Sequence, residues 1–255
     1  HRTPAPGSGR DAVRLPGKFP ALKIDAMATE ADSQASGMEG PHSADPVILY
    51  EGVIKRFTRG KREPFTALQD ISFRVEKGSV TGMVGPDGAG KTTLIRLACG
   101  LLFADEGTVR VMGLDVSEYP QQVQSRVGYM PQKFGLYEDL TVQENLDLYA
   151  NLHGINAEDR AERYPQLMRM TGLGRFMDRL AGRLSGGMKQ KLGLACTLVS
   201  TPVLLFLDEP TVGVDPLSRR ELWEIVYRLV REQDLTVVLS TSYLDEAERC
   251  DKAVL

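Results

Sequence analysis

The chain has 255 residues, is 42% hydrophobic and 25% charged, and carries a formal net charge of −3. That is the composition of a soluble globular protein with enough length for one large domain or two small ones, and its mild acidity argues against nucleic acid as a partner. Cys99, Cys196 and Cys250 lie far apart with no CxxC spacing, which argues against a disulfide framework or zinc site and points to buried thiols in a reducing compartment.

Residues 1–45 are rich in Pro, Gly, Ser and Ala without periodicity. They read as a disordered or linker segment, or as sequence upstream of a start at Met27 or Met38, and no apolar core of a secretory signal follows the basic residues. From Pro46 the pattern becomes regular. VILYEGVIKRF predicts a strand, and ISFRVEKGSVTGMVG predicts two strands around a Glu76-Lys77-Gly78 turn. A helix is expected over Lys91–Leu102, then a loop holding Asp105, Glu106 and Gly107, then strands in TVRVMGLDV and VGYMPQ.

Residues 141–180 turn helical, with Asp139 or Thr141 as the cap and His153 as a solvated helix-end residue. The apolar stretch Leu192–Leu207 is nearly long enough to cross a bilayer, but Ser200-Thr201-Pro202 interrupts it and Lys191 and Asp208 close it. A helix, a turn and a buried strand fit it better. VLLFLDEP and LTVVLSTS predict strands on either side of a helix over 218–231, in which Trp223 packs into the core. DKAVL ends as a further strand opens, so the chain reads as truncated there. The strand–helix–strand order with a helical insertion predicts an α/β fold.

Three stretches carry chemistry. Gly85-Pro86-Asp87-Gly88-Ala89-Gly90-Lys91-Thr92 fits G-x-x-x-x-G-K-[ST], between an apolar strand and a helix beginning KTTLIRL. Its glycines let successive N–H groups face one centre, and the helix amino end adds partial positive charge for a phosphate. Lys91 would reach the terminal phosphates and Thr92 would offer its hydroxyl to Mg²⁺. VLLFLDEP delivers Asp208 and Glu209 at a strand end, Asp208 suited to hold Mg²⁺ through water and Glu209 to orient or deprotonate an attacking water. In LSGGMKQ, Ser185, Gly186 and Gly187 open a second helix, a further anion-binding amino end suited to another domain's nucleotide.

LSGGMKQ resembles the signature of the ABC ATPases. The order of motifs also resembles that family: phosphate loop, Gln132 in YMPQ, LSGGMKQ, LLFLDEP, then Gly213-Val214-Asp215-Pro216. GYMPQKFGLYEDLTVQENL with LAGRLSGGMKQKLGLACTLV is similar to the first ATP-binding half of YbhF-like subunits of drug exporters. The resemblance implies a P-loop NTPase (RecA-like) core with an antiparallel β subdomain and an inserted α-helical subdomain over about 133–190, within an ATP-binding domain of residues 46–255. It implies hydrolysis of Mg-ATP to power a transporter, with ATP held by Gly85 through Thr93 and stacked on Phe57, although a lone aromatic such as Phe57 also fits a core position.

It further implies that Gln132 links Mg²⁺ and the attacking water to the helical subdomain, or else is an ordinary strand-end residue. Ser185, Gly186, Gly187 and Gln190 would grip the ATP of a second ABC ATP-binding domain, and Asp215 would cross the interface with it. The other implied partners are transmembrane permease subunits, which place the chain peripherally at the cytoplasmic face of the inner membrane. Two rival readings are a soluble ABC ATPase in translation or repair and a slow, mainly regulatory nucleotide site. The second rests on Ser242, which stands where most of the family carries a histidine facing the terminal phosphate. Ser242 either takes that catalytic place, caps the helix beginning in YLDEAE, or does both.

Overall fold

A computed structural model describes residues 45–58 and 64–254. The expected linker at the amino end therefore lies, apart from Asp45, outside the described residues.

In chain order come β1 (Ile48–Phe57), β2 (Phe65–Val75), β3 (Val80–Val84), α1 (Lys91–Ala98), β4 (Glu106–Val111), β5 (Leu114–Asp115), α2 (Pro120–Gln124) and β6 (Val127–Met130). Three helices follow, α3 (Val142–Leu152), α4 (Ala157–Thr171) and α5 (Gly186–Leu198). The chain then alternates through β7 (Leu204–Asp208), α6 (Pro216–Gln233), β8 (Thr236–Thr241), α7 (Leu244–Ala247) and β9 (Lys252–Val254).

The strands form two sheets. One is antiparallel, in the order β2-β1-β4-β5; the other is parallel, in the order β6-β7-β8-β3-β9. The parallel strands β3, β7 and β8 are buried at every position, as strands covered on both faces must be. Alternate residues feed two cores. Leu204, Phe206 and Val238 face α1 and the antiparallel sheet, whereas Leu205, Leu207, Val237 and Leu239 face α3 to α6. Each fully buried side chain of this size contributes roughly 1.5–3 kcal/mol.

The register of the parallel sheet decides what the site can be. β8 lies between β7 and β3, with Ser240 opposite Asp208 and Thr241 opposite Val84. Three strand ends therefore meet at one edge, the carboxyl edge where open α/β sheets bind ligands.

The two strands expected around the Glu76–Gly78 turn are β2 and β3, which belong to different sheets. Other expectations need correction. The first helix ends at Ala98 rather than Leu102, since Gly100 takes φ 66° and breaks it. Glu106 and Gly107 belong to β4: Gly107, at φ 80°, lets two backbones meet, and a Cβ there would lie 2.3 Å from the Gly52 carbonyl oxygen. Thr141 does cap α3, in a reciprocal capping box with Glu144. Leu192–Leu207 forms α5, a turn and β7, and among the described residues no helix is long and apolar enough to cross a membrane.

All three cysteines are free and buried. Burial raises the Cys99 and Cys196 thiols strongly and pushes Cys250 up to about 12. Folding thus favours the protonated thiols, so their contribution to stability is full below the unfolded value, about 8.5, and declines as pH rises above it. At pH 8 the folded chain should yield no thiol to an aromatic disulfide reagent, and all three in denaturant. A fast-reacting thiol in the folded chain would contradict this packing.

Candidate functional site: a phosphate loop facing two buried carboxylates

The loop Gly85–Gly90 leaves β3 at the carboxyl edge, and the Gly85 N–H donates to the Thr241 carbonyl at 3.2 Å. Gly90 has φ 95°, and a Cβ on it would meet Leu68 Cδ2 at 2.7 Å and the Ala67 carbonyl oxygen at 2.9 Å. Glycine is required there by conformation and by space. Gly90 opens α1 without a side-chain cap, whereas α3, α4, α5 and α6 are capped by Thr141, Asn156, Ser185 and Asp215. The first-turn N–H groups of α1 therefore face the loop with no protein side chain accepting from them, the arrangement that favours an anion. Pro86, Asp87, Gly88 and Ala89 form the exposed crest.

Lys91 is only 7% exposed. Its Nζ donates to the Gly85 and Pro86 carbonyls at 2.7 and 3.0 Å and pairs with Glu209 Oε1 at 3.1 Å. Asp208, 2% exposed, accepts the Thr92 hydroxyl at 3.0 and 2.9 Å on its two oxygens. It also accepts the Ser240 hydroxyl at 2.6 Å and the Tyr129 hydroxyl at 3.4 Å. Burial holds the Tyr129 phenol above its usual value, so it stays a donor.

Glu209 sits at φ 48° in the left-handed region, a strain of roughly 1–3 kcal/mol for a residue with a side chain. Its N–H holds that turn by donating to the Ser240 hydroxyl at 2.9 Å and the Ser240 carbonyl at 3.2 Å. Gln132 Nε2 donates to Glu209 Oε2 at 2.9 Å. The loop after Gln132 is held by Asn145, fully buried, whose amide donates to the Tyr137, Leu140 and Thr141 carbonyls and accepts from the Tyr137 N–H.

A cavity of about 250 Å³ joins Lys91, Thr92, Thr93 and Glu209 to Phe57 and Phe65, whose rings lie 5.9 Å apart at its mouth. The donor set of one hydroxyl and one carboxylate is all hard oxygen, which fits Mg²⁺ arriving with phosphate oxygens and waters. Among the described residues no cluster of three or more His, Cys, Asp or Glu could hold a metal without such help.

The other expected residues fall elsewhere. Ser185 caps α5 by accepting the Met188 N–H at 3.3 Å. Gly187 is packed so closely on α6 that a Cβ would lie 2.2 Å from Ser218 Cβ, while one on Gly186 would lie 3.7 Å from the Gly213 oxygen. Gln190, half-buried, is on the same helix, and none of these four lines the cavity. Asp215 caps α6 by accepting the Leu217 and Ser218 N–H groups at 3.1 and 3.0 Å, and the Ser218 bond lowers its carboxyl below the usual range.

Ser242 follows Thr241, one residue beyond the point opposite Val84, and its side chain is exposed. It does not cap α7: Tyr243 is the cap residue, without a side-chain bond, and Thr241 Oγ1 accepts the Tyr243 N–H at 3.0 Å. Thr241 thus fixes the turn into α7 without capping it.

Sequence reading missed Ser240, Tyr129 and Asn145. Ser240 and Tyr129 stand inside quoted motifs, but only the strand register shows that they meet Asp208.

The close packing of Gly187 generates a contrast. Gly187→Ala should destabilise the fold by about 1–3 kcal/mol, as overpacking does, and Gly186→Ala by less. Equal denaturant midpoints for the two variants would contradict it.

The profile of the ABC transporter family matches residues 68–212. The chain is 54% identical over 211 residues to the probable multidrug ABC transporter ATP-binding protein YbhF of Escherichia coli (strain K12), covering 83% of this chain and 36% of that protein. It is 44% identical over 183 residues to the daunorubicin/doxorubicin resistance ATP-binding protein DrrA of Streptomyces peucetius, covering 72% of this chain and 55% of DrrA. The chain thus spans about a third of the length of the first relative and about half of the second. Among solved structures, an ATP-binding subunit of an ABC transporter superposes with TM-score 0.69 at 30% identity, covering 82% of this chain and 85% of that one. The ADP conformation of MJ1267, an ATP-binding cassette, gives TM-score 0.70 at 27% identity over 80% of this chain and 84% of its own. Motif order, parallel-sheet site and these likenesses agree: the chain belongs to the ABC transporter ATP-binding family, with the P-loop NTPase fold, and drug-exporter ATP-binding proteins are among its homologues.

Proposed function

We propose that this chain binds and hydrolyses Mg-ATP to power a membrane exporter of drugs or other small molecules. The observation that carries this reading is the convergence of Lys91, Thr92–Asp208 and Gln132–Glu209 at the end of one parallel sheet. The cassette comprises residues 46–255, with a helical subdomain over about 133–190.

ATP's phosphates sit in the loop Gly85–Thr93, on those of its N–H groups that no protein acceptor takes, with Lys91 against the terminal phosphates and Phe57 against the adenine. Thr92, Asp208 and Gln132 would hold Mg²⁺, which would supply charge neutralisation on the phosphate oxygens. Glu209 orients or deprotonates the attacking water, with Gln132 fixing its carboxylate from the helical side.

Ser185, Gly186, Gly187 and Gln190 act on the ATP of a second cassette, and Asp215 lies in that interface. This pairing is supported by the packing of the signature glycines on residues 213–218 and by the exposed apolar Val212 and Leu217 beside Asp215. Transmembrane permease subunits dock at a groove lined by Leu101, just beyond α1, and by Phe134, Tyr149 and His153 of the helical subdomain, where Leu101 and the neighbouring Leu152 are exposed. That places the chain peripherally at the cytoplasmic face of the inner membrane. Export is inferred from the likeness to YbhF, a probable multidrug transporter ATP-binding protein, and to DrrA, a daunorubicin/doxorubicin resistance protein.

The chain at concentrations that favour pairing should turn over Mg-ATP, and Glu209→Gln should lower that turnover roughly 10²-fold or more while ATP still binds. Lys91→Ala should weaken ATP binding about tenfold or more. Undiminished turnover in the first variant, or undiminished affinity in the second, overturns the assignment.

A slow site is a second reading, favoured by Ser242, whose hydroxyl is shorter than imidazole and has no cationic form. Ser242→His should then raise turnover at this site, measured with the partner site disabled; no gain would remove the reading.

A further inference from the structure

Glu246 is a charged residue with 0% exposure that no step above uses. Its position in the first turn of α7 suggests a helix-end acid that favours the dipole, yet its carboxylate is turned into the protein. One oxygen, Oε1, accepts the hydroxyl of Thr211, and the other, Oε2, accepts the hydroxyl of Thr241 at 2.7 Å. Both threonines are themselves buried, at 2% and 1% exposure. A buried carboxylate is kept only where donors compensate its lost hydration, so these hydroxyls are fixed as donors toward it.

The two threonines belong to different parts of the site. Thr211 lies two residues beyond Glu209, within the turn that follows it. Thr241 lies one residue before Ser242, and its carbonyl accepts the Gly85 N–H at the mouth of the phosphate loop. A third element joins them. Arg219, four residues into the helix capped by Asp215, places Nε 3.7 Å from Glu246 Oε1, while its guanidinium lies 4.6 Å from the Tyr243 ring centroid and 3.8 Å from Asp245. Arg219 Nε has no hydrogen-bond partner among the described residues, so the ion pair with Glu246 is its nearest compensation.

We propose that Glu246 is a positioning residue: it clamps the Thr211 and Thr241 turns together, setting Glu209 and Ser242 at a fixed spacing on the two sides of the reacting phosphate. The inference rests on the ATPase reading above. Its physical content is separate, because the clamp fixes backbone turns whether or not chemistry follows. Displacement of a catalytic group by about 1 Å from a distant change can cost roughly 10²-fold in rate. Binding depends on Lys91 and the first-turn N–H groups of α1, none of which bonds Thr211 or Thr241 directly, so it is expected to change far less than the rate.

The test uses isosteric losses of each hydroxyl, Thr211→Val and Thr241→Val, with Thr211→Ser and Thr241→Ser as rescues. In the paired chain, the Val variants should lower kcat roughly tenfold or more, while KM for ATP changes by no more than about twofold. The Ser variants should recover most of kcat. A parallel rise in KM with unchanged kcat, or Ser variants as slow as Val, overturns the proposal.

A second readout is independent of turnover. Amide exchange at Gly85 and Glu209, both bonded to β8, should speed up in the Val variants, return in the Ser variants, and stay slow in a surface control such as Glu162→Gln. Unchanged exchange at both amides overturns the clamp even if the wild-type chain shows no hydrolysis. Accelerated exchange with no wild-type hydrolysis would instead uphold the clamp and remove the ATPase reading.

Discussion

A carboxylate only 2% exposed, at the end of a strand buried along its whole length, is the constraint from which this site follows. Asp208 loses its hydration on folding, and an unpaired buried carboxylate is too costly to keep. Its compensation comes from three directions at once: Thr92 from the helix after the phosphate loop, Ser240 from the neighbouring strand, and Tyr129 from the strand on the other side. Each donor is delivered by a different element, so the order β6-β7-β8-β3 is a condition for burying the charge. The phosphate loop is thereby tied to the acidic strand end. Hydroxyls are suited to this, because they donate to the carboxylate and remain able to accept, as Ser240 does from the Glu209 N–H.

The same economy of groups explains the strain at Glu209. A left-handed turn immediately after Asp208 sends the next carboxylate back across the loop mouth, where Lys91 and Gln132 reach it. In an extended continuation of β7 the neighbouring side chain would point to the opposite face of the sheet, away from the phosphate loop. The cost of the positive φ, roughly 1–3 kcal/mol, is offset by two bonds from one amide to Ser240. Two adjacent acids thus acquire different surroundings from one backbone turn: Asp208 is surrounded by hydroxyls and Glu209 by an ammonium and an amide.

Much of this was legible in the sequence. The glycine loop between an apolar strand and a helix, the acidic pair after LLFL, and SGG at a helix start are local patterns, and each lies where local pattern predicts. What could not be read is non-local. Nothing in LSTSYLDEA states that Ser240 faces Asp208 or that Glu246 turns inward, since both depend on the register of β8 against β7 and on side chains 35 and 32 residues apart. Glu246 also looked like an ordinary first-turn acid, the commonest use of that residue there. The early end of α1 and the strand across Gly107 were missed for a related reason. A glycine reads as punctuation, while at Gly107 it serves a close backbone approach set by a partner strand.

The placement of Ser242 separates geometry from reactivity. The turn that carries it is held by Thr241, through its carbonyl to Gly85 and its hydroxyl to the Tyr243 N–H and Glu246. None of these bonds involves the Ser242 side chain, which is exposed and does not cap the helix that follows. The backbone at this position is therefore indifferent to which side chain it presents, so a change there leaves the fold and the phosphate loop unaltered. What changes is reach and charge toward a group beside Gly85, quantities that act on the rate of a reaction and only weakly on the stability of the protein. Under the proposed function, such a chain would keep its nucleotide cradle while one exposed residue tunes how fast that cradle is used.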